Sequence, residues 1–367
     1  MQIIILFILF LYLLLILKYW FGWTKNKSNG ASNYTPIVSV IIALRNEQEQ
    51  VLRLLSELKR QDYPIGKLEF ILVNDHSTDS TLELLENSEI ENLRVLNMPD
   101  GMFGKKSAIV FAMKKAKGDI ILASDADCSF SPLWLRTMVA YFSNKNIKLV
   151  SGPVSYHKQK GIFLGLQTLE FISLIGSGAG AIGVENAIFC NGANMAYRKA
   201  DFLELNNFEN DDAASGDDVF LLHSIKEKYR HAIVFAKDEK AIVLTSAVQS
   251  TKGFINQRKR WTAKTSGYKD FASLYASFLV LFTNLSLVFL FVGYLYLDVY
   301  FQLFLFFYAL KFMVDFLMLH QVLSFFKRKD LLKWILPFEL FYAFYIVLIV
   351  ILSFTKSFEW KGIIHKK

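Results

Sequence analysis

The sequence predicts a doubly wound α/β domain on a mostly parallel sheet, held between apolar helices at the two ends of the chain. Three observations predict it. Short β-branched runs alternate with helical-period segments over residues 36–127, which is the pattern of a parallel sheet with crossover helices. The strand-like runs end in polar, carboxylate-bearing elbows, where open α/β sheets bind ligands. Hydrophobic residues make up 53% of the 367 residues, a high share that is concentrated at the two ends.

Residues 1–23 form the first element. Residues 3–17 carry no charge, and Tyr19, Trp20 and Phe21 continue the apolar run as an aromatic interfacial end, so an uncleaved membrane anchor is expected. A cleavable signal peptide would require a basic start and a small-residue cleavage site. Lys18, Lys25 and Lys27 follow the run and no Lys or Arg precedes it, which places the N-terminus outside and the central domain in the cytosol. Residues 24–35 are rich in Gly, Ser and Asn and read as a linker.

Within the domain, 36–270, Ile37–Leu44 reads as a strand, and the following helix places Val51, Leu54, Leu55 and Leu58 at helical spacing. Leu68–Val73 is a second strand leading into the elbow Asn74-Asp75-His76-Ser77-Thr78-Asp79. Asn92–Leu96 and Asp119–Ala123 are further strands, with a helix over Lys105–Ala116 between them. No Gly-x-Gly-x-x-Gly follows the first strand and no Gly-Lys-Ser/Thr phosphate loop is present, so neither a dinucleotide-binding enzyme nor a P-loop ATPase is supported. Asp75 is an acceptor for an imide N–H or a ribose hydroxyl, or else a cap for the next helix.

Asp125 and Asp127 end the fourth strand. In extended backbone, residues two apart point the same way, so the pair could hold a hard cation; a plain turn is the bland alternative. Lys105 precedes a helix where a diphosphate would meet both an ammonium and a helix start. Residues 162–184 carry one charge, Glu170, and their Gly and Ala content fits a helix lying in a membrane interface or packed closely on it. Asp217 and Asp218 head an apolar helix, either as comfortable dipole partners or, for Asp218, as a general base. Gln257-Arg258-Lys259-Arg260-Trp261 is either an interfacial basic anchor or a segment that closes over phosphate and sugar.

Residues 271–355 hold about three further spans, with Lys311 and Asp315 four apart on one face. Residues 356–367 are a basic tail. Four spans send that tail outside, whereas Lys356, Lys361, Lys366 and Lys367 argue for inside; a kinked or re-entrant segment would reconcile the two. The excess of 41 Lys and Arg over 33 Asp and Glu favours anionic partners such as a membrane surface or a nucleotide diphosphate. No nucleic-acid module is present. Cys128 and Cys190 agree with a reducing compartment.

Taken in order, Val-Asn-Asp75-His-Ser-Thr-Asp79, Gly104-Lys105, Asp125-Ala-Asp127, Gly216-Asp217-Asp218 and Gln257-Arg-Lys-Arg260-Trp261 resemble the motifs of membrane-bound glycosyltransferases of family 2, which have the GT-A fold. The resemblance spans roughly residues 36–270. It implies that Asp75, with Arg45, Glu47, Lys105 and Asp125, contacts a nucleotide sugar, UDP-linked by expectation. Asp127, with Asp125, would hold Mg²⁺ or Mn²⁺, and Asp218, with Asp217, would supply the catalytic base. Gln257, Arg258, Arg260 and Trp261 would help hold donor and acceptor. The implied activity is inverting sugar transfer to a lipid or lipid-linked acceptor in the inner or plasma membrane. A processive polysaccharide synthase and an inactive scaffold or partner subunit are the competing expectations. The family often shows Asp-Asp or Asp-Gly at the first motif, where this chain has Asn74 and His76.

Overall fold

The structure is a computed structural model that describes residues 2–30, 32–205, 217–353, 357–360 and 363–366. Two compact units divide the chain. One consists of residues 24–157 and 181–246; the other gathers 1–23, 158–180 and 247–367.

The chain begins with helix α1 (Gln2–Lys25) and then enters the sheet unit. Its elements run β1 (Val38–Leu44), α2 (Gln48–Lys59), β2 (Leu68–Asn74), α3 (Thr81–Glu86), β3 (Leu93–Asn97), α4 (Gly104–Lys115) and β4 (Ile120–Asp125). Then follow α5 (Trp134–Ala140), β5 (Leu149–Ser151), β6 (Val154–Tyr156) and helix α6 (Ile162–Gly183), with β7 (Asn194–Arg198), α7 (Lys199–Leu205), α8 (Asp217–Lys228), β8 (Ile233–Phe235) and β9 (Val243–Thr245) completing the unit.

Seven strands form one sheet in the order β3-β2-β1-β4-β7-β5-β8. The first four are parallel to one another. β7 is antiparallel to both of its neighbours, β4 and β5. Strand β2 is buried along its whole length, as a central parallel strand covered on both faces should be, and its Phe70–Val73 stretch is an unbroken apolar run rather than an alternation. Val51, Leu54, Leu55 and Leu58 of α2 are all buried, in agreement with their spacing.

Asn194 explains how β7 is fixed. Fully buried, its side chain accepts from Trp134 Nε1 at 2.9 Å and donates to the carbonyls of Pro153 and Ala241 at 2.9 and 2.8 Å. A buried amide with these bonds made is held in one place, since leaving them unmade would cost about 1–3 kcal/mol per group.

The second unit is helical. α9 (Thr251–Lys264), α10 (Phe271–Gly293), α11 (Val299–Phe325) and α12 (Ile335–Ser353) join α1 and most of α6, and a short antiparallel pair, β10 (Ser357–Trp360) and β11 (Ile363–Lys366), follows. Residues 158–180 and 247–270 group with the apolar helices in this unit. Among the described residues, five helices are long and apolar enough to cross a membrane, and α6 is one of them. Gly180 of α6 lies so close to α1 that a Cβ there would stand 2.3 Å from the Tyr19 carbonyl oxygen, which is the close packing its small residues predict. Pro337 falls in the first turn of α12, where a missing N–H breaks no helical bond, so the helix runs unbroken instead of kinking. Lys356, Lys361 and Lys367 of the basic tail lie outside the described residues.

Inside this unit the Lys311 ammonium is buried between two carboxylates, 2.6 Å from Asp315 Oδ2 and 2.6 Å from Glu339 Oε2, and the Tyr12 hydroxyl donates to Asp315 Oδ1 at 2.8 Å. The four-residue spacing identifies Asp315 as a partner; Glu339 comes from α12 and makes the pair a triad.

Candidate active site

The loops after β1 and β2 are tied together. Asn46 and His76 both adopt left-handed backbone, at φ 52° and 54°. Asn46 Oδ1 accepts from the Thr78 amide at 2.8 Å, and the amides of Asn46 and Gln48 donate to Ser77 Oγ and Asp79 Oδ2. Burial pushes the Asp79 carboxyl up, but hydrogen bonds from the Thr81 hydroxyl and amide and from the Gln48 amide outweigh it and hold the group below its ordinary value. Asp79 is thus a brace for the loop. Glu47 heads α2, and its amide donates to Thr81 Oγ1 at 2.8 Å.

Asp75, which follows β2, is buried. Its Oδ2 accepts the Gly104 amide at 2.9 Å, its Oδ1 lies 3.0 Å from His76 Nδ1, and Arg45 Nη1 stands 4.0 Å away. A carboxylate only accepts, so His76 carries its hydrogen on Nδ1, and its ring packs on Phe103 with centroids 4.5 Å apart. Gly104 has φ +89°, a backbone that side-chain-bearing residues rarely adopt, and this lets its N–H turn to Asp75 as α4 begins.

The next residue carries the site across the sheet edge. Lys105 Nζ is 2.5 Å from Asp125 Oδ1 at the end of β4. A Cβ on Gly192 would lie 3.4 Å from both Lys105 Nζ and Asp218 Oδ2, so the ammonium and that carboxylate oxygen stand at most twice that distance apart. Asp218 in turn accepts the Gly192 amide on Oδ2 and the Val219 amide on Oδ1, both at 2.9 Å. The turn before β7 sets Gly192 in place, with the Ala193 amide on Asn191 Oδ1 and the Asn194 amide on the Asn191 carbonyl. Asp75, Lys105, Asp125 and Asp218 are thereby linked through Gly104 and Gly192. Asp217 is the first residue of α8; its side chain, and Gly216 before it, lie outside the described residues.

The aspartate pair is arranged differently from the extended-strand expectation. β4 stops at Asp125, and Ala126–Asp127 is a turn in which the Cys128 amide reaches back to the Asp125 carbonyl. The two carboxylates therefore take different partners. Asp127 Oδ2 accepts from Thr245 Oγ1 at 2.6 Å and from the Ser246 amide at 3.4 Å, and its carbonyl accepts from Arg53 Nη2 at 2.8 Å. Burial, reinforced by Asp125 and Asp127, pushes the Cys128 thiol well up, which leaves it an inert packing group. Both cysteines are free and buried.

Among the described residues, no group of three or more His, Cys, Asp and Glu could hold a metal ion. Thr245 and Ser246 orient the Asp127 carboxylate, and a divalent ion held there would take most of its oxygens from phosphate and water. Thr245, Ser246 and Gly192 escaped the sequence reading because they become neighbours of the carboxylates only through β9 and the turn before β7.

In the helical unit, α9 carries Gln257, Arg260 and Trp261 at spacings that share a helix face. Arg258 is not presented to a ligand as expected. It is buried, its Nε and Nη2 on Glu170 Oε2 at 2.9 and 2.6 Å, its Nη1 on Gln257 Oε1 at 2.5 Å, and the rings of Phe254 and Trp261 pack on it at 4.4 and 4.2 Å. Tyr345 of α12 also donates to Glu170 at 2.7 Å. The physical reason is the apolar surrounding: a buried cation requires a carboxylate, and Glu170 is in reach.

Residues 39–205 match the family model "Glycosyl transferase family 2". That stretch is a glycosyltransferase family 2 domain, and its sheet is that of the GT-A fold. Over their matched regions, the chain is 32% identical to Glycosyltransferase AglE of Haloferax volcanii, 30% to a Beta-monoglucosyldiacylglycerol synthase of Nostoc and 33% to an Undecaprenyl-phosphate 4-deoxy-4-formamido-L-arabinose transferase of Pectobacterium atrosepticum. These matches cover 34%, 31% and 34% of this chain. They cover 42%, 25% and 39% of those proteins, so the chain matches less than half the length of each. Among solved structures, the mannosyltransferase PcManGT of Pyrobaculum calidifontis, determined with GDP-Man and Mn²⁺, is similar over 97% of this chain and 99% of that one, with a TM-score of 0.64 and 17% identity. That likeness concerns the fold.

Proposed function

We propose that the chain is a membrane-embedded, inverting glycosyltransferase that moves a sugar from a nucleoside diphosphate donor to a hydroxyl of a lipid or lipid-linked acceptor. The observation that carries this reading is the linkage of Asp75, Lys105, Asp125 and Asp218 at one edge of the sheet. There, an acceptor for a nucleoside, a cation for a diphosphate and a carboxylate base are all within reach of one bound molecule.

The roles follow from the chemistry. Asp75 and its neighbours Arg45 and Glu47 face the nucleoside, with uridine as the expected base because a carboxylate accepts an imide N–H. Lys105 balances charge on the departing diphosphate. Asp218 takes the proton from the acceptor hydroxyl as its oxygen bonds to the anomeric carbon, and the bond from that carbon to the diphosphate oxygen breaks. Attack opposite the leaving group inverts the centre. A Mg²⁺ or Mn²⁺ held by Asp125 and Asp127 would add Lewis-acid stabilisation of the diphosphate. Gln257, Arg260 and Trp261 are read as helping to hold donor and acceptor.

The apolar helices, together with relatives named for a diacylglycerol product and an undecaprenyl-phosphate acceptor, support a lipid-borne acceptor. We read α6 as lying in the interface and not crossing. The strands on either side of it, β5 before and β7 after, pair in one sheet, which supports a segment that leaves that unit and returns to it. That topology supports the interfacial reading of this segment, and the charges after α1 support a cytosolic sheet unit.

The test is transfer of label from UDP-sugars and GDP-sugars to membrane lipids by the full-length chain, with Mg²⁺ or Mn²⁺ present. One or a few labelled glycolipid bands are expected. A ladder of long polymer would favour a processive synthase, and no transfer or hydrolysis of any donor would favour a scaffold.

A further inference from the structure

We propose that the turn between α11 and α12 is a binding site for the phosphate of an anionic membrane lipid, with Arg328 as its anchor. The inference rests on the reading of the apolar helices as membrane-spanning and is independent of the donor chemistry.

Helix α11 ends in a tight backbone closure. Lys327 is left-handed at φ 55°, its amide donates to the Ser324 carbonyl at 3.1 Å, and the Arg328 amide reaches back to the Leu323 carbonyl at 2.8 Å. This closure turns the side chain of residue 328 toward the helix end, a position that ordinarily takes an apolar residue. Here it holds a guanidinium, and Arg328 is only 6% exposed.

That guanidinium is only partly satisfied. Asp330 lies along one edge, with Oδ1 3.2 Å from Nε and Oδ2 3.5 Å from Nη2, and is itself largely in the open. Among the described residues Nη1, though buried, has no hydrogen-bond partner. A buried donor without an acceptor is costly, and a phosphate that displaces the loose carboxylate would give the planar fork two oxygens at once.

The surroundings favour a lipid as the source of that phosphate. Lys327, Lys329 and Lys333 are exposed beside Arg328, so residues 327–333 carry four cations and one carboxylate. Such a cluster at the end of an apolar helix attracts anionic headgroups. Indole rings gather at headgroup level, and two stand here: Trp23 of α1 packs edge-on to Phe325 with centroids 5.5 Å apart, and Lys333 Nζ lies 5.6 Å from the Trp334 ring. One turn before Trp23, Trp20 Nε1 is a second buried donor without a partner among the described residues.

The experiment measures phosphatidylglycerol binding to the full-length chain in neutral detergent by native mass spectrometry, with phosphatidylcholine and inorganic phosphate as separate arms. Phosphatidylglycerol should be retained in preference to both. Arg328→Gln should weaken its binding by about 10–100-fold. Lys327→Gln with Lys329→Gln, both exposed, should weaken it by about tenfold and serves in case Arg328→Gln fails to fold. Asp330→Asn removes the competitor for the guanidinium and should tighten lipid binding a few-fold, whereas a purely structural ion pair would only lose stability. Unchanged phosphatidylglycerol binding in the Arg328 and double Lys variants, or phosphatidylcholine or inorganic phosphate bound as tightly, overturns the proposal. A chain that stays in solution without detergent would remove the membrane reading itself, a result separate from loss of lipid binding.

Discussion

Asp218 Oδ2 accepts the backbone N–H of Gly192 at 2.9 Å, and that contact joins the head of α8 to the turn before β7. It aims the carboxylate while leaving lone pairs open, which is what the proposed general-base role needs.

Asp218→Asn keeps the side chain's shape and one acceptor oxygen but removes the base. Turnover should fall by about 10²–10⁴-fold, with nucleotide affinity changed little. Steady-state kinetics together with calorimetric titration of UDP distinguish the two effects, and near-normal turnover would contradict the role.

Thr245→Val removes the 2.6 Å hydrogen bond that orients Asp127 while leaving the carboxylate in place. Loss of such an outer partner should weaken Mn²⁺ binding in the presence of UDP by about 10–100-fold, and Asp127→Ala should weaken it further. Titration calorimetry reads both.

Glu170→Ala leaves the Arg258 guanidinium buried without its carboxylate. The helical unit should lose about 3–5 kcal/mol, whereas a paired Glu170→Met, Arg258→Leu exchange should lose far less, because it removes both charges. Thermal unfolding in detergent separates the two variants. A single variant as stable as the double would count against a buried pair.

Lys311→Met strands Asp315 and Glu339 together among apolar helices. Destabilisation of about 3–5 kcal/mol is expected. Adding Asp315→Leu should recover part of it, a double-mutant comparison made on the same unfolding curve.

Glu69 supplies a pH dependence. Burial raises its carboxyl, but the Lys117 amide, the Ser39 hydroxyl and Arg94 together hold it below its ordinary value of 4.5. Its contribution to stability is therefore complete above about pH 4.5 and is lost as the pH falls through the lowered folded-state value. The melting difference between the parent and Glu69→Gln should be largest near neutrality and shrink in acid. A difference unchanged down to pH 3 would refute the assignment.

What the sequence showed and what it hid have a common physical cause. The parallel half of the sheet was legible because each of its strands is a run of apolar residues bounded by turn chemistry, and α2 was legible because Val51, Leu54, Leu55 and Leu58 repeat at helical spacing. β5, β6, β8 and β9 are three residues each, too short to carry a period, and the reversed direction of β7 is imposed by pairing partners far away in sequence. The acidic residues of the site could be named from their motifs. Their partners could not, since Gly192 lies 26 positions from Asp218 and Thr245 lies 118 from Asp127. The ion pair of Glu170 and Arg258, 88 apart, was hidden for the same reason, and Arg258 was read with Gln257, Arg260 and Trp261 as helping to hold donor and acceptor because a motif shows a charge and not what neutralises it.

The excursion of α6 bears on how this protein can be prepared. The sheet unit is assembled from residues 24–157 and 181–246, with an apolar segment between the two pieces. Trimming both termini would leave that greasy stretch in place and the fragment bound to detergent. A water-soluble version instead calls for excising the internal segment and splicing His157 to Ala181 through a short flexible bridge.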